Sequence, residues 1–141
     1  MFPILISSMV SCASTPTANP SPAITHTNDG ALAQIDQGKK LYVQYCAGCH
    51  GNGGEGTAKA PPVVGAGAFP LVAATDAKRN VPFHTAADVF TWTVKHMPAD
   101  APGSLSTEQY LAIFAFDLTA NGVKLSAPLD AAKAAAIVLH P

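Results

Sequence analysis

Apolar and polar positions divide the 141-residue chain into segments of different character. Residues 1–10 read Met-Phe-Pro-Ile-Leu-Ile-Ser-Ser-Met-Val, an apolar run too short to span a bilayer as a helix. Residues 13–30 carry Pro16, Pro20 and Pro22 among Ser, Thr, Ala and Asn, and predict an extended, disordered linker. Helical spacing starts beyond it. Leu32, Ile35, Leu41, Tyr42 and Tyr45 predict a first helix over Ala31–Tyr45, with Asp36 placed favourably for the helix dipole. Thr85 as N-cap with Asp88 three residues on predicts a second helix, Thr85–Lys95, with Val89, Phe90, Trp92 and Val94 as its apolar positions. Ser106-Thr107-Glu108-Gln109 is a capping box, and Leu105 with Tyr110 a hydrophobic staple. They open a third helix, Ser106–Leu118, whose apolar side holds Tyr110, Ile113, Phe114 and Leu118, and Asn121-Gly122 supplies its C-cap. After Pro128, the Ala-rich Leu129–Leu139 predicts a short helix laid on the surface.

Composition narrows the picture. Twelve prolines and eleven glycines imply long irregular segments around a modest helical core. A core that small gains from a bound staple. Charged residues make up 12% and the net charge is −1, with no basic patch, which speaks against a nucleic-acid partner. Three cysteines give no disulfide framework.

The chemistry concentrates in Cys46-Ala47-Gly48-Cys49-His50. C-x-x-C-H reads as a site of covalent c-type haem attachment. Two thiols on adjacent turns add across the two vinyl groups of a porphyrin edge, and the next residue sits under the ring. Cys46 and Cys49 are then the thioether anchors and His50 the proximal iron ligand. Two other readings compete. A zinc half-site needs four ligands, and the remaining cysteine is Cys12 in the apolar leader. A thioredoxin-like pair should follow a strand and open a helix, whereas this pair ends a helical pattern.

Other stretches carry weaker signals. Met9-Val10-Ser11-Cys12 resembles a bacterial lipobox, which makes Cys12 the lipidated first residue of a mature chain; the alternative is an ordinary cleaved signal. Gly51-Asn52-Gly53-Gly54-Glu55-Gly56 matches G-x-G-x-x-G, but no strand precedes it and Pro61-Pro62 prevents a following helix. A flexible loop along the haem edge is the better reading. A carbonyl in Pro61-Pro62-Val63-Val64-Gly65 could accept from His50 Nδ1 and set its tautomer. Arg79, the only arginine, and Trp92 are candidates for a haem propionate; a solvated arginine and a core tryptophan are the alternatives. Pro98 disfavours helical geometry at Met97, leaving its thioether free to point inward.

Gly38 and Tyr42 on one helix, then the Cys46–His50 motif, a Pro-rich loop, Met97-Pro98 and a final amphipathic helix together resemble a class I cytochrome c. The likeness spans roughly residues 31–122. It implies Met97 as the distal sulfur ligand and Pro61 as the acceptor for the proximal histidine. It also implies Gly38 and Tyr42 as the face that crosses the last helix near Ile113 and Phe116. His96 and His84 are the other residues that could fill the sixth position. The tail from Asn121 is similar to monohaem cytochromes that accompany periplasmic dehydrogenases.

The expected fold is all-α: three main helices and loops around one covalent haem c. The expected organisation is a leader (1–12), a linker (13–30), a cytochrome c domain (31–122) and a C-terminal extension (123–141). The expected function is one-electron transfer between periplasmic or membrane redox partners, a protein donor and a protein acceptor. Expected localisation is the periplasmic side of a bacterial membrane, with a lipid anchor on the membrane surface or soluble in the periplasm. The alternatives are a cytochrome subunit of a dehydrogenase or respiratory complex, and a haem enzyme or gas-binding module with an open sixth position.

Overall fold

The computed structural model describes residues 26–74 and 79–141. The expected leader with Cys12, and residues 13–25 of the expected linker, lie outside the described residues. Five helices follow in chain order: α1 (His26–Tyr45), α2 (Ala47–His50), α3 (Ala86–His96), α4 (Thr107–Ala120) and α5 (Ala131–Ala136). No strand occurs among the described residues; an isolated antiparallel bridge joins Thr85 to Val138.

α1 begins five residues before the expected Ala31, so residues 26–30 of the expected disordered linker are helical. Asp29 occupies the first turn, where a carboxylate suits the helix dipole. Ala31 is buried, and Gly30 lies against Pro128, whose Cγ would be 3.0 Å from an added Cβ. Packing against a distant part of the chain extends the helix beyond what local composition indicates.

α1 crosses α4 at Gly38. Tyr42 is 1% exposed, and its ring lies 5.3 Å from that of Phe116, tilted by 51°. With Ala47 and Ile113 it forms a core cluster to which Leu41, Cys46, Val63, Leu105 and Phe116 are packed. The crossing is the one that the resemblance implied.

Both expected capping boxes form. The Thr85 hydroxyl accepts from Asp88 N while the Asp88 carboxylate accepts from Thr85 N. Ser106 and Gln109 do the same for α4. Asn121 closes α4, and Gly122 turns the chain away at φ +89°.

The C-terminal segment is built into the core instead of lying on the surface. Leu129 and Ala134 are buried with Phe83, Ala86, Val89, Phe114, Ala115 and Leu118 in a second cluster. α5 is shorter than the expected Leu129–Leu139 because Asp130 caps it, its side chain accepting from Lys133 N at 2.8 Å. Gln34 of α1 binds the Leu129 backbone from both sides: Nε2 donates to Leu129 O at 3.0 Å, and Leu129 N donates to Oε1 at 2.6 Å.

Candidate haem site

The attachment motif sits where α1 gives way to α2. Cys46 N–H still donates to Tyr42 O at 2.8 Å, and Cys46 O accepts from Cys49 N at 3.1 Å and His50 N at 3.0 Å. One tight turn therefore carries both thiols and the imidazole. Cys46 is half-buried and Cys49 exposed. Burial, then the Asp117 carboxylate, then Cys49 push the Cys46 thiol up to about 12. A thiol shifted this way has little of the thiolate character that a reactive redox pair needs.

His50 is buried, and its Nδ1–H donates to Pro61 O at 2.7 Å. A carbonyl can only accept, so the proton is on Nδ1 and the Nε2 lone pair is free for a metal. Pro61, rather than Pro62, is the partner. The glycine loop brings it there. Gly56 N donates to His50 O at 2.7 Å, and Gly56 has φ +84°, with Pro62 N only 2.7 Å from where a Cβ would stand. A side chain here would push the proline pair off the histidine. Gly54 O accepts from both Val63 N and Val64 N, and Thr57 Oγ1 donates to Cys49 O. The G-x-G-x-x-G match is thus a loop that folds back on the Cys49–His50 turn.

Met97 ends α3 in extended conformation (φ −124°, ψ 150°) and is half-buried. Its N–H donates to Thr93 O at 2.8 Å, and its carbonyl accepts from Tyr110 Oη at 2.6 Å. A buried tyrosine of α4 thereby fixes the backbone at the position where the helix stops.

Residues 33–116 match the family model described as Cytochrome C oxidase, cbb3-type, subunit III. The chain belongs to this family. It is a monohaem cytochrome c that transfers electrons, and its cofactor is covalently bound haem c. Its fold is shared with the crystal structure of the sulfane dehydrogenase SoxCD from Paracoccus pantotrophus, at a TM-score of 0.57 and 23% identity. The alignment covers 92% of this cytochrome and 68% of that chain. No curated protein matches.

The donor set fits the haem: two thiols and an imidazole on one turn, with the imidazole's second nitrogen already satisfied. When bound, haem c supplies a one-electron iron couple.

The other sequence candidates make contacts within the chain. Arg79 Nη1 donates to Leu71 O and Val81 O, and Nη2 to Pro70 O. Its guanidinium carbon lies 3.7 Å from the Phe83 ring centroid. The hydrogen bonds tie Arg79 to Pro70, Leu71 and Val81, so full solvation does not describe it. Trp92 packs edge-on to Phe83 and stacks on His96, centroids 4.4 Å apart. His96 is exposed, and its Nδ1–H donates to Trp92 O at 2.7 Å, so its ring lies back along α3. His84 is exposed in the turn before α3.

Three residues of the site escaped the sequence reading. Tyr110 holds Met97, as described above. Asn121, expected only as a cap, binds the proline loop: Nδ2 donates to Val63 O at 2.8 Å, and Oδ1 accepts from Gly65 N at 2.9 Å. Asp117 is 7% exposed, and its Oδ1 is buried without a partner. The available signal was a lone charge in the apolar run Tyr110–Leu118.

Proposed function

We propose that this cytochrome is a one-electron carrier whose iron is held by His50 and Met97, with Cys46 and Cys49 as thioether anchors. The observation that carries the reading is the Nδ1–H of His50 donating to Pro61 O, which leaves Nε2 as a metal-binding lone pair. Met97 supports it as the distal ligand, being half-buried and released from α3. His96 is the weaker candidate because its ring stacks on Trp92. With both axial positions filled, no substrate binds the metal, which separates a carrier from a haem enzyme or gas sensor.

The family description and the likeness to a dehydrogenase chain favour a second reading within the same chemistry, that of a cytochrome subunit in a respiratory or dehydrogenase complex. Its partners are then a protein donor and a protein acceptor on the periplasmic side of a bacterial membrane. A lipid on Cys12 would confine the domain to that surface and raise its effective concentration near them.

The test is the optical and magnetic spectrum of the holoprotein with its Met97→Ala, His96→Ala and His84→Ala variants. Only Met97→Ala should convert a low-spin, six-coordinate ferric iron to an open one. A spectrum unchanged by Met97→Ala and altered by either histidine variant overturns the ligand assignment. Intact mass of the protein from native membranes decides acylation at Cys12, and co-purification at stoichiometric yield decides between subunit and free shuttle.

A further inference from the structure

Asp117 is at odds with its surroundings. The helix face from Tyr110 to Leu118 is otherwise uncharged, and Ile113, Phe114 and Leu118 beside it are all buried. One carboxylate oxygen, Oδ1, is sealed from solvent and has no hydrogen-bond partner. The backbone carbonyl of Asp117 is taken by Asn121, through both N–H and Nδ2, but these bonds do not reach the side chain. An unpaired carboxylate in such a place costs several kcal/mol, and an apolar residue of similar volume avoids that cost. Burial therefore raises the proton affinity of this carboxyl well above the usual carboxylate range.

Its position gives it a use. Ile113, one turn before it on α4, packs with Tyr42, Ala47 and Cys46 in one cluster, and the adjacent Phe116 ring lies 5.3 Å from that of Tyr42. The charge of Asp117, when present, acts on the Cys46 sulfur and on the Tyr42 hydroxyl. It is thus within electrostatic reach of the first thioether anchor. We propose that Asp117 takes up a proton as this cytochrome takes up an electron, so that the protein carries both together. The balance is simple. The redox donor supplies one electron, which reduces ferric iron to ferrous, and solvent supplies one proton, which forms an O–H bond on the Asp117 carboxylate. Oxidation by the acceptor reverses both. An added electron makes the site more negative and favours the protonated carboxyl; by linkage, the proton favours the reduced state equally.

Few other groups complicate the coupling. The facing groups are Tyr42 of α1, itself shifted upward by burial first and then by Asp117, and Cys46 of the turn that follows it, which no longer ionises as a thioether. Glu55 of the glycine loop acts on Tyr42. Among the described residues, no charge on α3 or α5 contributes to the shift at Asp117. Haem propionates are the remaining titratable groups, and substituting Asp117 leaves them in place.

The inference rests on covalent haem at Cys46 and Cys49, so haem content is measured on every sample; its absence is a failure of that reading and not of this one. The experiment is a spectroelectrochemical titration of the holoprotein across pH, for wild type, Asp117→Asn and Asp117→Leu. The wild-type potential should fall as pH rises. Full coupling shifts the one-electron equilibrium tenfold per pH unit, ~59 mV. Both variants should show a clearly shallower dependence, reduced to what the propionates contribute. Redox-difference infrared spectra should show a protonated carboxyl stretch that strengthens on reduction and vanishes in Asp117→Asn. A wild-type potential independent of pH, or a dependence as steep in either variant as in wild type, overturns the proposal.

Discussion

A Cβ on Gly38 would stand 1.8 Å from the carbonyl oxygen of Ala112. The contact is with backbone on the facing helix, so no side-chain rotation relieves it. Gly38 costs α1 ~1 kcal/mol of helix propensity relative to alanine, and the close crossing with α4 is what that cost secures. Tyr42, one turn on, then reaches Phe116 and, through its hydroxyl, Gly51 O at 2.9 Å. The helix crossing and the turn that carries the haem ligands are therefore one packed unit.

Gly38→Ala should destabilise the holoprotein despite the better propensity. Overpacking of this kind typically costs about 1–3 kcal/mol, and here the backbones must separate. Denaturant unfolding followed by far-ultraviolet dichroism measures it. A variant as stable as wild type would show that α1 and α4 can part without loss.

The helices and the attachment motif were legible in the sequence because their signals are local. Thr85 with Asp88 and Ser106 with Gln109 are capping boxes written within four residues. C-x-x-C-H carries its own spacing. What escaped depends on distant partners. Nothing near His26 announces that Pro128 lies against Gly30 of α1. Nothing in Arg79 indicates that it turns back on Pro70, Leu71 and Val81. Alanine content suggested a surface helix after Pro128, yet Leu129 and Ala134 are buried because Gln34 and the α3–α4 face receive them. Asp117 was visible as a charge in an apolar run, but only the packed structure shows its oxygen without a partner.

Tyr110→Phe should loosen Met97 while leaving the core packing in place. It deletes the donor to Met97 O and leaves that carbonyl unpaired. A hydrogen bond of this kind contributes ~0.5–1.5 kcal/mol net. The charge-transfer band of a sulfur-ligated ferric iron should weaken, and exogenous imidazole should bind more tightly than to wild type. Equal imidazole affinity in both proteins would separate Tyr110 from control of the sixth position.

Gln34→Ala should free the C-terminal segment from α1. Both hydrogen bonds to the Leu129 backbone go, each contributing ~0.5–1.5 kcal/mol, and the Leu129 N–H and C=O lose their partners. Amide exchange across Leu129–Ala136 should accelerate, while exchange in the middle of α4 changes less. Unchanged protection at α5 would mean that Leu129 and Ala134 hold the segment by burial alone.

Asp117 also sets how stability varies with pH, and the sign follows from its shift. Its carboxyl pKa is raised in the folded protein from an unfolded value of ~3.9. Between those two values the folded state binds more protons than the unfolded state. Stability is therefore fully present below the unfolded pKa and declines as pH rises towards the folded one. One such group gives a limiting slope of ~1.4 kcal/mol per pH unit. Asp88 acts in the opposite sense. Hydrogen bonds from Thr85 hold its carboxylate low, so its contribution is lost as pH falls, and its access to solvent keeps that contribution small. Asp117→Asn removes the first effect and keeps the second. Unfolding of the ferric and ferrous holoproteins across pH should therefore show wild-type stability falling from acid towards neutral pH, and a flatter or rising profile in Asp117→Asn. The wild-type decline should extend to higher pH in the ferrous protein, where the added electron holds the proton more firmly. Identical profiles for wild type and Asp117→Asn would mean that the carboxyl ionises freely in the fold, and its burial would then have no thermodynamic consequence.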